Sequence, residues 1–247
     1  FEEADAHFRN YLAMVLAIDD MVGELLAGLE ARKLLDNTLL VFTTDHGTHL
    51  GNHDENFWGK KMPWEENVRI PMVVYWAGVL EGGGRCDTLT APVDLLPSFC
   101  SLCDISIPRT IEGLDLSQSW LGHDDSREQE AVLLMNFING YDYLDDGNEW
   151  RGVRTKSHTY ARFLDGRTYL FDIHDDPFQE NNLSGKDEYY ELETALANRL
   201  RALMEDRGDQ WLAGSAYESW FDGQRRGIRN GFGPLSDPES EPDWSLM

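Results

Sequence analysis

A carboxylate and an imidazole stand side by side directly after a short apolar segment. Asp45 and His46 follow residues 38–44, a run of leucine, valine, phenylalanine and threonine that is typical of a buried strand. Such a pair can bind one divalent cation, and Gly47 lets the backbone turn sharply beside it. The pair therefore indicates a metal site. The alternative is that Asp45 caps a following helical turn and that His46 hydrogen-bonds a neighbouring carbonyl group.

Two lysines lie further along the same polar, glycine-punctuated stretch. Lys60 and Lys61 carry ammonium groups, and His53 lies between them and the Asp-His pair. A metal ion together with an ammonium group forms a site for a tetrahedral oxyanion such as sulfate or phosphate. The alternative for both lysines is an ordinary exposed loop pair.

The elements around these residues predict an α/β fold. Apolar residues three and four positions apart predict an amphipathic helix over residues 3–33, and residues 38–44 are expected to form a central parallel strand. A loop then leads to about residue 67 and to a second buried strand at 70–76. Ligands of such sheets bind beyond the carboxyl ends of the strands, which is where Asp45 lies.

The character of the sequence changes after residue 122. We expect residues 1–122 to belong to the α/β domain, 123–207 to form a small antiparallel-sheet domain with a helix, and 208–247 to be an irregular, partly mobile tail. The expected strands of the small domain, separated by glycine-containing turns, are 131–137, 150–155, 158–163 and 169–172, and its helix is 187–204.

Composition excludes several classes of function. The net charge is −24, because 21 Lys and Arg face 45 Asp and Glu, so nucleic acid and anionic membrane surfaces are not expected partners. The apolar runs are only long enough for strands, and three cysteines are too few for a disulfide scaffold. Neither the compartment nor the oligomeric state can be read from these numbers.

Several motifs in order and spacing resemble the downstream half of the type I sulfatases, in the alkaline phosphatase superfamily. The resemblance extends from residue 11 to about residue 204 and implies a partial sulfatase/alkaline-phosphatase-like sheet flanked by helices, followed by a small α+β domain with an antiparallel sheet. It rests on DNTLLVFTTDHG at 36–47, LGNH at 50–53, GK at 59–60, WEENVRIP at 64–71, PVDLLP at 92–97, IEGLDL at 111–116, RGVRT at 151–155 and YLFD at 169–172.

The resemblance implies a role for each candidate site residue. Asp45 and His46 take the family's metal-ligand positions, and Lys60 takes that of the lysine that contacts the sulfate and the released oxygen, with Lys61 the weaker candidate. His53 matches the histidine of a Leu-Gly-x-His pattern near the catalytic site, whereas His49 is expected to be an ordinary loop residue. The metal is commonly calcium in this family, but an imidazole ligand also suits manganese, so the ion stays open.

The resemblance also implies a nucleophile that this sequence lacks. In the family a formylglycine forms from the first residue of a Cys/Ser-x-Pro/Ala-x-Arg motif, well upstream and accompanied by an acidic metal pair. Neither motif is present, since no cysteine of the chain is followed by the required residues. We therefore expect Phe1 to lie mid-chain in a longer enzyme whose missing amino-terminal half carries the formylglycine, and this portion alone to be inactive.

The expected reaction is hydrolysis of a sulfate ester in a sulfated small molecule or a sulfated glycan. One alternative is a phosphonate monoester or phosphodiester hydrolase of the same superfamily, which uses a similar Asp-His pair. The other is a non-catalytic remnant that binds an anion or a protein partner. The two enzymes would be distinguished by their preference for sulfate or phosphate aryl esters.

Overall fold

The computed structural model describes residues 2–53, 58–80, 82–123, 128–137, 147–223, 227–230 and 233–234. The chain divides into two compact units. One consists of Phe1–Cys86 and Trp120–Asp124, and the other of Asp87–Ser119 and Asp125–Met247. The sequence-based domain limits at residues 122 and 207 stay a prediction.

Among its described residues the first unit has two α-helices and two short strands: α1 (Glu2–Ala31), β1 (Leu40–Thr43), α2 (Glu65–Val68) and β2 (Met72–Tyr75). Helix α1 ends in a left-handed turn at Lys33, whose φ is 58°. There the Leu34 N–H donates to the Leu29 carbonyl group over 3.0 Å and the Lys33 N–H donates to that of Glu30 over 2.9 Å. These bonds satisfy carbonyl groups that a helix end otherwise leaves open, and they direct the chain toward β1.

The prediction that residues 38–44 form a parallel strand is wrong for the pairing with β2, and the prediction that the strand is central in the complete sheet stays a prediction. Strand β1 pairs antiparallel with β2, with Leu40 opposite Tyr75 and Thr43 opposite Met72. Its Phe42 side chain is 41% exposed rather than buried. An apolar run reports how hydrophobic a strand is, but it contains no information about the direction of the neighbouring strand.

The second unit is built on a four-stranded sheet, and the predicted antiparallel sheet is confirmed. Neighbouring strands are antiparallel in the order β3-β4-β5-β6. Their bounds are β3 (Ala131–Asn136), β4 (Trp150–Thr155), β5 (His158–Phe163) and β6 (Thr168–Asp172), and the unit also contains α3 (Leu95–Leu102) and α5 (Tyr190–Asp206). A further helix, α4, spans Ser117–Trp120, and two short strands, β7 (Arg229–Asn230) and β8 (Gly233–Pro234), pair antiparallel.

The core of the second unit lies between this sheet and α5. Val153, Tyr160 and Leu170 lie opposite one another on neighbouring strands and are at most 4% exposed. Leu196 and Leu200, one turn apart on α5, complete the cluster. The expected helix at 187–204 is therefore present and packs on the sheet as predicted.

Residues 208–223, the described start of the predicted tail, are held against the sheet by polar contacts. Arg151 of β4, which is 1% exposed, forms an ion pair with Asp209. The buried carboxylate of Glu149 accepts a hydrogen bond from the Gly214 N–H over 2.6 Å. The tail from residue 235 onward lies outside the described residues.

A buried carboxylate organises the segment that precedes the sheet. Asp94 is 1% exposed and accepts hydrogen bonds from the Ala91 N–H over 2.7 Å, the Leu114 N–H over 2.9 Å and the Gln129 side-chain amide over 2.8 Å. Because every one of these donors is a backbone or amide N–H, the carboxylate fixes three separated stretches of chain at one point.

Within the described ranges, none of the helices combines the length and the apolar character that crossing a membrane requires.

Candidate functional site

Asp45 and His46 lie just beyond the end of β1 and remain open to solvent. Their side chains are 81% and 41% exposed, respectively, and Oδ2 of Asp45 lies 3.4 Å from Nε2 of His46. The other carboxylate oxygen, Oδ1, accepts hydrogen bonds from the His46 N–H over 2.9 Å and from the Thr44 hydroxyl group over 3.3 Å. These two bonds orient the carboxylate so that Oδ2 points toward the imidazole.

The His46 ring is oriented by the backbone. Its Nδ1 lies 3.0 Å from the carbonyl oxygen of Gly47, which can only accept, so Nδ1 carries the hydrogen of the neutral ring. Nε2 then holds a lone pair beside the Asp45 carboxylate. The alternative drawn from the sequence, in which His46 binds a neighbouring carbonyl group, is thus present, and it is also the contact that usually prepares a histidine for metal binding.

The ionised form of Asp45 is favoured at this position. Burial works to raise the pKa of Asp45, but it is outweighed by the positive charge that His46 carries whenever its ring is protonated and by the hydrogen bonds from the His46 N–H and the Thr44 hydroxyl group. The pKa consequently lies below the ordinary value of 3.8. The carboxylate is therefore charged at neutral pH, as a cation ligand must be.

The donor set fits one divalent cation but is not a complete site. Asp45 supplies an oxygen ligand and His46 a nitrogen ligand, whereas calcium takes six to eight ligands and manganese about six. In the part of the chain that the structure describes, no group of three or more His, Cys, Asp or Glu side chains could hold a metal ion. Further ligands would have to come from elsewhere.

The loop after His46 is closed against α2 at Gly47. The Gly47 N–H donates to the Asn67 carbonyl oxygen over 2.8 Å. A Cβ atom at residue 47 would lie 1.8 Å from the carbonyl oxygen of Glu66, a distance that no side chain tolerates. The Asp-His pair therefore needs glycine next to it for a packing reason, and not for a left-handed turn, since Gly47 does not have a positive φ.

Lys60 is exposed and follows a glycine that packs on His49. The His49 N–H donates to the Gly59 carbonyl oxygen over 2.8 Å, and a Cβ atom at Gly59 would lie 2.3 Å from Nδ1 of His49. His49 itself is 2% exposed. The interpretation of His49 as an ordinary loop residue missed this burial: its ring is the packing centre that sets the backbone before Lys60. Lys61 is also exposed.

His53 lies in a small cluster formed with Trp64 and Glu66. Its ring stacks on that of Trp64 with centroids 4.0 Å apart and an interplanar angle of 21°. Its Nε2 lies 3.1 Å from Oε2 of Glu66, and the Asn52 amide donates to the other carboxylate oxygen over 2.8 Å. Sequence reasoning missed Trp64 and Glu66 as site neighbours, although both lie in the WEENVRIP segment that contributes to the resemblance.

The structure thus divides the four predicted site residues into three positions on one loop. Asp45 and His46 are in contact at its start, His53 is packed against α2 with its side chain only 10% exposed, and Lys60 is exposed after Gly59. All three positions are linked to residues 64–67. Gly47, next to His46, is hydrogen-bonded to Asn67, and His53 contacts Trp64 and Glu66. Gly59, which precedes Lys60, packs on His49, whose ring centroid lies 4.6 Å from that of Trp64. The roles assigned to the four predicted site residues stay predictions.

Comparison with known proteins shows similarity to sulfatases, both in a family model and in individual sequences. Residues 2–105 match the family model described as Sulfatase. The chain is 36% identical over 215 residues to an ulvan-active sulfatase of Formosa agariphila, an alignment that covers 85% of the chain and 41% of that protein. It therefore spans about two fifths of the length of this relative.

Solved structures agree with this assignment. A protein solved in complex with its substrate, D-glucosamine-2-N,6-O-disulfate, aligns with a TM-score of 0.73 at 27% identity and covers 82% of this chain and 41% of its own. The phosphonate monoester hydrolase of Agrobacterium radiobacter shares the fold, with a TM-score of 0.69 at 20% identity, covering 91% of this chain and 44% of its own. With motifs, sequence similarity and fold in agreement, residues 2–105 match the Sulfatase family, and the chain is a homologue of sulfatases with the fold of the alkaline phosphatase superfamily.

Proposed function

We propose that the protein hydrolyses sulfate esters and that this chain supplies one side of the active site. The observation that carries the proposal is the Asp45-His46 pair. In a homologue of sulfatases, it presents an ionised carboxylate and an imidazole lone pair together just beyond a strand end.

Asp45 and His46 would hold one divalent cation, calcium or manganese, together with ligands from outside this chain. The bound cation would neutralise negative charge on the sulfate oxygens and make the sulfur a better electrophile. The contribution of the chain itself is to keep Oδ2 of Asp45 and Nε2 of His46 side by side, which the Thr44 hydroxyl group and the Gly47 carbonyl group do.

Lys60 would bind the sulfate and stabilise the charge that develops on the oxygen of the breaking bond. An exposed ammonium group at the end of a loop fixed by His49 and Gly59 suits this task, because its position is defined by the backbone while its charge remains accessible. His53 would lie near the same anion, on the part of the loop packed against α2.

The nucleophile would come from a segment that is not part of this sequence. A hydrated formylglycine there would attack the sulfur atom and displace the alcohol. Under this proposal the 247-residue chain alone has no turnover.

The substrate class is a sulfated glycan or a sulfated small molecule. The relative from Formosa agariphila is described as ulvan-active, and the structural neighbour was solved with a disulfated glucosamine. Extending this class to the present protein is part of the proposal, and the identity of the sugar is left to experiment.

The test uses the complete reading frame that contains this chain. We expect turnover of 4-nitrophenyl sulfate that is lost with EDTA and restored by calcium or manganese. Asp45→Asn and Lys60→Ala should each lower kcat/KM by about 100-fold or more, since a charge-stabilising group at a reacting centre typically contributes that much. Lys61→Ala is the matched control and should change kcat/KM by less than about threefold.

Near-normal hydrolysis by Asp45→Asn or Lys60→Ala would overturn the assigned roles. A reading frame without the Cys/Ser-x-Pro/Ala-x-Arg motif and without hydrolysis would favour the remnant that acts only in binding. Hydrolysis by the purified 247-residue chain would contradict both the proposal that the nucleophile lies outside this sequence and the alternative of a remnant that acts only in binding.

A second candidate is a phosphonate monoester or phosphodiester hydrolase. The shared fold with the phosphonate monoester hydrolase favours it as the alternative, because the same loop could hold a phosphonate in place of a sulfate. Comparing aryl sulfate, aryl phosphonate and aryl phosphodiester at equal concentration decides between the two. A higher kcat/KM for the sulfate supports the sulfatase proposal, and a higher value for either phosphorus ester replaces it.

A further inference from the structure

The Glu66 carboxylate contacts two neighbouring side chains on the far side of the site loop. One oxygen accepts from the Asn52 amide over 2.8 Å, and the other lies 3.1 Å from Nε2 of His53. The side chains of His53 and Glu66 are 10% and 15% exposed, so water competes little for this contact.

This contact determines which ring nitrogen of His53 carries the hydrogen. An ionised carboxylate can only accept, so Nε2 of His53 must donate to Glu66. In the neutral ring the lone pair then lies on Nδ1. The same relationship orients histidines in many active sites, where a carboxylate fixes both the tautomer and the ring plane.

Stacking on Trp64 fixes the plane of the His53 ring. The indole stacks on the imidazole at 4.0 Å, nearly parallel, while the hydrogen bond to Glu66 prevents rotation within the stacking plane. Together the two contacts define both the position and the orientation of His53.

We propose that Glu66 is a positioning residue that, with Trp64, presents Nδ1 of His53 as a hydrogen-bond acceptor to a hydroxyl donor among the reacting groups, the attacking hydrate, and not to the sulfate oxygens. This inference rests on the proposed function, because it places His53 beside the substrate. It names a role for a carboxylate that lies in the WEENVRIP motif but was assigned no role from the sequence.

A purely structural role is the competing interpretation. Glu66 could serve only to hold the loop against α2 through Asn52, in which case His53 would have no role in the reaction. Asn52→Ala removes that attachment and leaves the His53 contact in place, so it separates the two roles. Glu65→Ala removes the neighbouring carboxylate of the same helical turn and serves as the matched control.

The experiment measures kinetics and ring tautomers on the complete protein. We expect Glu66→Ala to lower kcat about 10- to 100-fold with little change in KM, the usual effect of losing a carboxylate that orients a functional histidine. Glu66→Gln keeps an acceptor oxygen, and the Asn52 amide can rotate to meet it, so this variant should restore most of kcat. Asn52→Ala and Glu65→Ala should stay close to the unaltered protein.

The tautomer readout is independent of turnover. With ¹⁵N-labelled histidine, the His53 ring, assigned by the loss of its signals in His53→Gln, should show the hydrogen on Nε2 in the unaltered protein and a mixture of tautomers in Glu66→Ala. An unchanged tautomer in Glu66→Ala, or an equal loss of kcat in Asn52→Ala, would overturn the inference.

The outcomes also separate this inference from the proposed function. If Asp45→Asn abolishes hydrolysis but Glu66→Ala does not lower kcat, only the positioning role fails. If Asp45→Asn has no effect, the proposed function fails, and the acceptor role of His53 toward the reacting groups fails with it, whatever the tautomer measurement shows.

Discussion

Arg151 and Asp209 form an ion pair that joins the start of strand β4 to the segment that follows α5. Nη2 of Arg151 donates to Oδ1 of Asp209 over 3.1 Å, and Nε of Arg151 contacts the other oxygen. The Arg151 side chain is 2% exposed. Because the guanidinium group presents two parallel donors, it fixes the orientation of the carboxylate as well as its distance.

Removing the carboxylate of this pair should destabilise the fold strongly. Asp209→Ala leaves a buried guanidinium group without its counter-charge, which we expect to lower the free energy of unfolding by about 3–5 kcal/mol. Asp206→Ala is the control, because Asp206 is 80% exposed and its ion pair with Arg207 lies at the surface. Urea unfolding of the two variants measures the difference. A loss as small as that of Asp206→Ala would show that the pair contributes nothing net.

The same pair should affect stability at acid pH. Burial works to raise the pKa of Asp209, but the hydrogen bonds from Arg151 and the Trp211 N–H, with the charge of Arg151, outweigh it and place the pKa below 3.8. A carboxyl group whose pKa is lower in the folded protein stabilises it at pH values above the unfolded-state pKa, and this stabilisation is lost as the pH falls through the folded-state value.

Asp209→Asn should therefore lose less stability between pH 5 and the acid limb below about pH 4 than the unaltered protein does. Thermal unfolding at a series of pH values gives the two curves. Parallel curves would contradict the assignment of this acid sensitivity to Asp209.

Removing the Asp94 carboxylate is also expected to destabilise the fold strongly. Asp94→Ala leaves one buried and two partly buried N–H donors without an acceptor, which should lower the free energy of unfolding by about 3 kcal/mol. Glu112→Ala removes an exposed carboxylate of the same unit and should change it by less than about 0.5 kcal/mol. Denaturant titration compares the two, and equal midpoints would show that the Asp94 hydrogen bonds are replaced by water.

Gly47→Ala should displace the start of the site loop. The added methyl group meets the Glu66 backbone oxygen, which cannot move without shifting α2, so the loop must open and the Asp45-His46 pair must move. Gly82→Ala is the matched control, since nothing lies within 4 Å of the added Cβ atom. We expect loss of hydrolysis in the first variant of the complete protein and near-normal hydrolysis in the second. Equal activity would mean that the loop is adaptable at Gly47.

The elements that the sequence predicted well are those with a clear internal period. The 3.6-residue pattern of α1 and the short, turn-separated strands of the antiparallel sheet each follow from neighbouring residues. The direction of β1 relative to β2 did not follow, because the intervening loop and not the strand sequence determines it. Arg151 and Asp209 were also missed, since their contact joins residues far apart in the chain that share no pattern.

The candidate site was predictable only at its start. Asp45 and His46 are adjacent, so their proximity is given by the sequence itself, and the motifs added Lys60 and His53. The contacts of Glu66, Trp64 and His49 depend on how the loop folds back on α2. A buried histidine such as His49 resembles a loop residue in the sequence, because burial of a polar ring leaves no periodic signal.

The closure of residues 47–67 on themselves has a consequence for sequence change. Surface loops ordinarily tolerate insertions and deletions, because few of their backbone groups are committed to fixed partners. Here the Gly47 N–H is bound to Asn67, the His49 N–H to Gly59 and the Asn52 amide to Glu66, so a change in length within residues 47–53 or 58–67 breaks the register of these contacts. These two described segments should therefore each keep a constant length wherever the contacts are kept.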